Sequence, residues 1–180
     1  MIITLCDTDL DISTPREPLL TSFCKYQSSL NPLHDGDLGH WDTALLVTGL
    51  DMHIKGTDKD GKGATLGLAP VGGVCLHQHN CVVGELGVHG KRGQPHPSAG
   101  FAAVYVMAHE LGHNLGMRHD HKEGCRRDGF IMSPTRGTKG EAQWSPCSAE
   151  FLQKTDKLQC LHEDPHAVSL TLEVGSYKHT

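Results

Sequence analysis

The order of apolar and polar positions along the chain predicts a mixture of helices and short strands. Apolar residues at helical spacing predict helices over residues 19–30, from about residue 101 through residue 113, and over residues 148–157. Residues 43–50 predict a strand, and because its centre reads Ala-Leu-Leu-Val we expect this strand to be buried on both faces.

Shorter patterns place strands and loops around these elements. Residues 64–69 predict an edge strand, and the β-branched run at residues 2–5 predicts another strand. Five glycines and two prolines make residues 84–100 a long loop, and Ser98 is the expected N-cap of the helix that follows it. No alternating β-branched run follows Met132, so we expect no strand beyond that residue.

Length and composition fit a single soluble domain. The chain has 180 residues, of which 37% are hydrophobic and 21% charged, values that are ordinary for a globular protein. Its formal charge of −5 argues against a nucleic-acid partner, which normally requires a basic surface. No run approaches the ~18 apolar residues that a membrane span needs. Seven cysteines in so short a chain indicate an oxidising compartment.

Residues 109–119 read H-E-L-G-H-N-L-G-M-R-H, which is the pattern H-E-x-x-H-x-x-G-x-x-H. At ~100° per helical residue, His109 and His113 lie about one turn apart on one face, so both imidazoles can bind one metal ion. His119 can join them only if the chain turns back, and Gly116 is a residue that adopts positive φ without a Cβ penalty. Three neutral imidazoles leave the fourth tetrahedral position of Zn²⁺ open for water, which is the pattern of a catalytic site.

Simpler interpretations of these residues compete with a zinc site. A chain with 14 histidines can place two of them on one helix face by chance, but the further glycine and histidine at the required positions make that coincidence much rarer. Met132, taken alone, is typical of a core methionine. Because it follows His119 by thirteen residues, it instead predicts the methionine turn that lies below the zinc ligands of metzincins.

Several separated motifs resemble those of the adamalysin or reprolysin metalloproteases, and within that family those of the ADAMTS proteases. Asp120, directly after the third histidine, is the residue that adamalysins use there. The other matching segments are S-F-C-K-Y-Q at 22–27 with Leu30 and Asn31, H-W-D-T-A at 40–44, T-L-G-L-A at 65–69, V-G-G-V-C at 71–75 and W-S-P-C-S at 144–148. Tyr26 departs from the usual tryptophan. The resemblance extends over roughly residues 1–165.

The resemblance implies a metzincin zinc-protease fold of the α/β (α+β) class. In this fold a twisted mixed sheet supports the helix that carries H-E-x-x-H, and a small C-terminal subdomain contains the Met-turn, here at Met132. Residues 1–165 would form a metalloprotease catalytic domain that lacks its N-terminal part, and residues 166–180 a tail or remnant leading to the next domain. On this hypothesis the sheet lacks a strand and a covering helix, and we expect the segment alone to be a poor enzyme.

The activity implied by the resemblance is that of a secreted zinc endopeptidase, which cleaves extracellular matrix or secreted proteins and is itself located in the extracellular matrix. His109, His113 and His119 would hold Zn²⁺, and Glu110 would be the general base. Residues 133–136 would form the outer wall of the pocket for the substrate residue after the cut bond. The alternative is a zinc-binding but catalytically inactive extracellular interaction module, and the intact Glu110 favours the protease.

The family pattern also implies three disulfides and a second cofactor. The disulfide pairs would be Cys24 with Cys81, Cys75 with Cys160, and Cys125 with Cys147, which leaves Cys6 over. Asp42, Asp51 and Glu163 or Asp164 fall where family members bind structural Ca²⁺, although lone carboxylates are usually solvated surface charges.

Overall fold

A computed structural model describes residues 15–37, 39–48, 52, 66–85, 99–121, 124–134 and 142–162 of the protein. The predicted strand at residues 2–5, Cys6, the predicted cap Ser98 and the tail at 166–180 lie outside these ranges. The elements are α1 (Arg16–Leu30), β1 (Ala44–Thr48), β2 (Gly67–Leu68), β3 (Cys81–Glu85), α2 (Ala99–Asn114), α3 (Pro146–Lys154) and a 3-10 turn (Gln159–Leu161). Among the described residues, no helix combines the length and apolar content needed to cross a membrane.

The described strands form one mixed sheet in the order β1-β3-β2. The central strand β3 pairs in parallel with β1, Ala44 facing Cys81, and antiparallel with β2, Gly67 facing Gly84. Because alternate residues of a strand point to opposite faces, Cys81 and Val83 join a core cluster with α1, whereas Gly84 lies against Met107 of α2. The sheet therefore lies between two helices, and the predicted mixed α/β class is confirmed.

The sequence pattern does not predict the central strand β3. Its five residues are all buried, yet the run is short and its fourth residue, Gly84, falls in the predicted loop. Gly84 belongs in the strand for a packing reason, since a Cβ there would collide with Sδ of Met107. Glycine at this point lets α2 lie close to the sheet.

The expectation that β1 is buried on both faces is wrong. Ala44 and Leu46 pack on the α1 cluster, but Leu45 and Val47, on the other face, are 50% and 52% exposed. Leu45 and Val47 are exposed because β1 is an edge strand of the described sheet and no described element covers this face of it.

The other predicted elements are present with shifted ends. Helix α1 begins at Arg16, three residues before the prediction, and α2 begins at Ala99. Strand β2 is an edge strand of the described sheet as predicted, and its described pairs are those of Gly67 and Leu68. Helix α3 starts at Pro146 because the Ser145 hydroxyl caps it by accepting from the Ser148 N–H, and proline suits the first helical position.

Three disulfides fasten the loops to this framework, and they are the three pairs that the resemblance implies. Cys24–Cys81 joins α1 to β3, and Cys75–Cys160 joins the loop before β3 to the 3-10 turn. Cys125–Cys147 joins the segment after His119 to the start of α3.

The pairing predicts the number of free thiols. Because six of the seven cysteines are bridged, thiol titration of unfolded, unreduced protein should find one thiol per chain, that of Cys6. The same titration after reduction should find seven and serves as the control. Three or more thiols before reduction would contradict this set of bridges.

Candidate metal centre

Helix α2 carries the first two histidines of the motif. His109 and His113 lie one turn apart near the C-terminal end of this helix, and their ring centroids are 4.8 Å apart. Two imidazoles on one helix face can therefore reach the same point, as their spacing predicts.

The chain reverses at Gly116, as predicted. The Gly116 N–H donates to the His113 carbonyl at 2.8 Å and the Met117 N–H to the Gly112 carbonyl at 2.9 Å, which together form a Schellman motif. Gly116 has φ +105°, a backbone conformation that residues with a side chain rarely adopt. The reversal brings the segment with His119 back against α2.

The three histidines converge at the end of this turn. The Nε2 atom of His119 lies 3.1 Å from the Nε2 atoms of both His109 and His113. Tetrahedral zinc with Zn–N bonds of ~2.0 to 2.1 Å separates its nitrogen ligands by about 3.3 Å. The donor set therefore fits a zinc ion with little adjustment.

Hydrogen bonds at the opposite nitrogens orient two of these rings. Nδ1 of His109 lies 2.6 Å from the Ile131 carbonyl, and Nδ1 of His113 lies 2.9 Å from the Met117 carbonyl. Since a carbonyl oxygen only accepts, each Nδ1 carries the hydrogen and each neutral ring presents its Nε2 lone pair. These lone pairs face one point, where a cation would relieve their repulsion. A metal-binding histidine usually donates its other ring N–H to a carbonyl or carboxylate in this way, which fixes the ring orientation.

Burial favours the neutral form of two ligands. Desolvation lowers the pKa of His113, against a smaller raising effect of the bond to Met117. Desolvation also lowers the pKa of His119; the neighbouring His113 and His121 add to this, and Asp120 opposes it. Both imidazoles therefore stay unprotonated to a lower pH than an ordinary histidine.

This direction predicts how zinc affinity depends on pH. Protons compete with zinc for the same nitrogens, so affinity should be nearly constant above pH ~6.5 and decrease only below it. The decrease should reach about tenfold per pH unit for each ligand that protonates. Competition with a chromophoric chelator between pH 5 and pH 8 measures it. A steep loss that begins well above pH 7 would contradict the lowered pKa values.

Glu110 lies buried beside the edge strand β2. A Cβ at Gly67 would collide with Cγ of Glu110, so glycine permits this contact between the helix and the strand. Burial raises the pKa of Glu110 to about 7, and the positive charge of Arg16 opposes this shift. A carboxyl group with a pKa near neutrality is suited to exchanging protons.

The turn at Ile131 and Met132 holds the His109 ring and the backbone next to His119. Met132 is fully buried, and its sulfur lies next to Gly112 of α2. The Ile131 carbonyl accepts from His109, and the Met132 carbonyl accepts from the N–H of Asp120 at 2.9 Å. Met132, the predicted Met-turn residue, therefore packs on the part of α2 that carries His109 and His113, and the adjoining backbone holds the first ring and the residue after the third.

Two buried polar residues near the centre have roles that sequence reasoning missed. Asn114 is fully buried and donates to the carbonyls of Pro70 and His79, which anchors the end of α2. Asp120 is buried and accepts from the Ser145 hydroxyl at 2.8 Å. Asn114 stands at a position where the motif accepts any residue, so nothing in the sequence indicates its role. Ser145 followed by proline, in contrast, is a pattern that predicts the start of a helix.

Of the remaining predicted metal ligands, Asp42 alone is among the described residues, and it does not join the cluster. Asp42 is half-buried, and the three histidines are the one group of three or more potential metal ligands in the described part of the chain. Asp51, Glu163 and Asp164 lie outside the described residues, as do residues 135 and 136 of the predicted pocket wall.

Comparison with known proteins gives one family. The sequence model of the family described as "Reprolysin (M12B) family zinc metalloprotease" matches residues 6–165 of the chain. Human "A disintegrin and metalloproteinase with thrombospondin motifs 16" is 37% identical over 88% of this chain and 12% of its own length. The Bos taurus protein of the same description numbered 4 is 35% identical over 82% of this chain and 17% of its own length. The Mus musculus protein numbered 13 is 29% identical over 91% of this chain and 11% of its own length. The chain thus spans less than a fifth of each of these relatives.

Proposed function

Because this chain belongs to the reprolysin (M12B) family of zinc metalloproteases, we propose that it is a zinc-dependent endopeptidase acting on secreted or extracellular matrix proteins. The observation that carries the proposal is the convergence of three Nε2 atoms, with that of His119 3.1 Å from each of the other two, next to the buried Glu110. This combination supplies both a metal site and an ionisable group for hydrolysis.

His109, His113 and His119 would hold the zinc ion. When bound, zinc supplies Lewis acidity, which lowers the pKa of a water molecule to ~7 and polarises a carbonyl oxygen. The Ile131 and Met117 carbonyls keep two of the rings in the tautomer that such binding requires.

Glu110 is the proposed general base and then general acid. One carboxylate oxygen of Glu110 accepts a proton from the attacking water as the new carbon–oxygen bond forms. The same oxygen returns the proton to the amine nitrogen as the carbon–nitrogen bond breaks, so the enzyme ends in its starting state. The water-poor surroundings of Glu110 strengthen its electrostatic interaction with the reacting groups.

Strand β2 is the proposed docking edge for substrate. It pairs with β3 on one side only among the described residues, and its Gly67 touches Glu110. An extended peptide added alongside β2 would bind through main-chain hydrogen bonds, which tolerate many side chains. The contact between Gly67 and Glu110 would set the cut bond near the base, and residues 133–136 would wall the adjoining pocket.

Secretion and calcium are further parts of the proposal. Three disulfides suit an oxidising compartment, which supports secretion. Structural calcium at Asp42, Asp51, Glu163 and Asp164 stays a prediction.

A second candidate is a zinc-binding interaction module without catalysis. The exposed Leu45 and Val47 on β1 support it, because contiguous exposed apolar side chains are typical of interaction surfaces.

Metal analysis combined with peptide cleavage separates the two candidates. A protease should contain one zinc per chain and cleave a library of extended peptides, and a zinc chelator should stop the cleavage. Zinc without cleavage of any peptide would favour the interaction module. Protein that binds no zinc would contradict both candidates.

A further inference from the structure

The Ile131 carbonyl is shared by two donors at the metal centre. Nδ1 of His109 donates to this oxygen at 2.6 Å, and the Tyr105 hydroxyl donates to it at 3.1 Å. A backbone carbonyl has two lone pairs, so both bonds can exist together. The oxygen that orients the first histidine is therefore itself held by a side chain.

Tyr105 also contacts the His109 ring directly. The two residues are four apart on α2, a spacing that makes helix side chains neighbours. Their ring centroids are 5.9 Å apart with the planes tilted by 34°. Tyr105 thus limits the movement of His109 in two ways, through the ring and through the carbonyl.

The hydrogen bond from the Tyr105 hydroxyl to the Ile131 carbonyl links α2 to the turn that contains Met132. Tyr105 and Ile131 are 26 residues apart in the chain, and the Ile131 N–H is fixed separately by the Gln143 carbonyl at 2.9 Å. Both backbone groups of Ile131 are therefore engaged. This leaves little freedom for the backbone that precedes Met132.

We propose that Tyr105 is a positioning residue for zinc binding, which acts on His109 through the Ile131 carbonyl. This inference rests on the proposed function, since it assumes that the three histidines hold zinc. Partners of metal-binding histidines typically contribute 10- to 100-fold to metal affinity. Because the Tyr105 hydroxyl bonds to this partner and not to the ligand itself, the lower end of that range is expected for its removal.

Tyr105→Phe is the direct test, because it removes the hydroxyl and keeps the ring beside His109. Tyr26→Phe is a matched control, since Tyr26 packs on the α1 cluster and not at the metal centre. Zinc Kd is measured for both variants and the parent by competition with a chromophoric chelator, after circular dichroism has verified that each is folded. Visible absorption of the Co²⁺-loaded proteins reports ligand geometry independently.

Y105F should raise the zinc Kd about tenfold and alter the Co²⁺ spectrum, while Y26F leaves both unchanged. A Kd for Y105F within twofold of the parent would overturn the inference. So would a lower melting temperature of zinc-free Y105F with an unchanged Kd, since that result assigns Tyr105 to stability alone. A parent protein that binds no zinc would remove the proposed function itself, and the parent measurement makes this case distinct.

Discussion

Glu110→Gln should abolish peptidase activity and leave zinc in place. An amide can neither accept the proton of the attacking water nor return it to the leaving amine, although it has nearly the size of the carboxyl group. Loss of general acid–base catalysis alone costs on the order of 10²- to 10⁴-fold in rate. The variant keeps the contact with Gly67 and all three histidines, so zinc content should stay at one per chain. Cleavage of a fluorogenic peptide and metal analysis of the same sample measure both quantities.

Glu150→Gln is the matched control for this substitution. Glu150 is an exposed carboxylate on α3 and pairs with Lys154 at the surface, away from the histidine cluster. The same chemical change there should leave the rate within about twofold, since surface substitutions usually have small effects. Glu110→Gln protein that retains most of the parent activity would remove Glu110 from its proposed role.

His113→Ala should lose zinc binding altogether. Two imidazoles remain, and the substitution also removes the donor to the Met117 carbonyl, so the reversal after α2 loses one of its bonds. In the parent, zinc at ~100 times its Kd should stabilise the fold by about 2.7 kcal/mol. That gain should be absent in the variant, and melting curves with and without zinc measure it.

His34→Ala supplies the comparison for this variant. His34 is exposed, follows α1 and does not belong to the metal-ligand cluster, so its removal should leave zinc content and the zinc-dependent gain unchanged. Stoichiometric zinc in His113→Ala protein would mean that other groups hold the metal.

The metal centre was largely predictable because its geometry is encoded locally. Two histidines at helical spacing, a glycine able to adopt positive φ and a third histidine six residues after the second define the site within eleven consecutive residues. The central strand β3 was harder to predict, since a five-residue run that contains a glycine has the same sequence pattern as the beginning of a loop. The exposure of β1 depends on what covers it, which hydrophobic pattern alone does not encode.

The supporting hydrogen bonds were beyond sequence reasoning for a different reason. Tyr105 binds a backbone carbonyl 26 residues away, and Ser145 binds Asp120 across 25 residues. A backbone carbonyl has no side-chain identity to read, and pairings over such separations depend on how the chain folds back. The disulfide pairs, by contrast, followed from family resemblance and not from spacing.

The bridge between Cys125 and Cys147 should couple oxidation of the chain to metal binding. It spans 22 residues and encloses the turn whose carbonyls hold His109 and the N–H of Asp120. By loop-closure entropy such a bridge disfavours the unfolded chain by about 3 kcal/mol. A newly made, still reduced chain would have both histidines of its helix and a loosely held third one. Oxidation should therefore strengthen zinc binding, so that a chain retained in a reducing compartment would hold its metal less tightly.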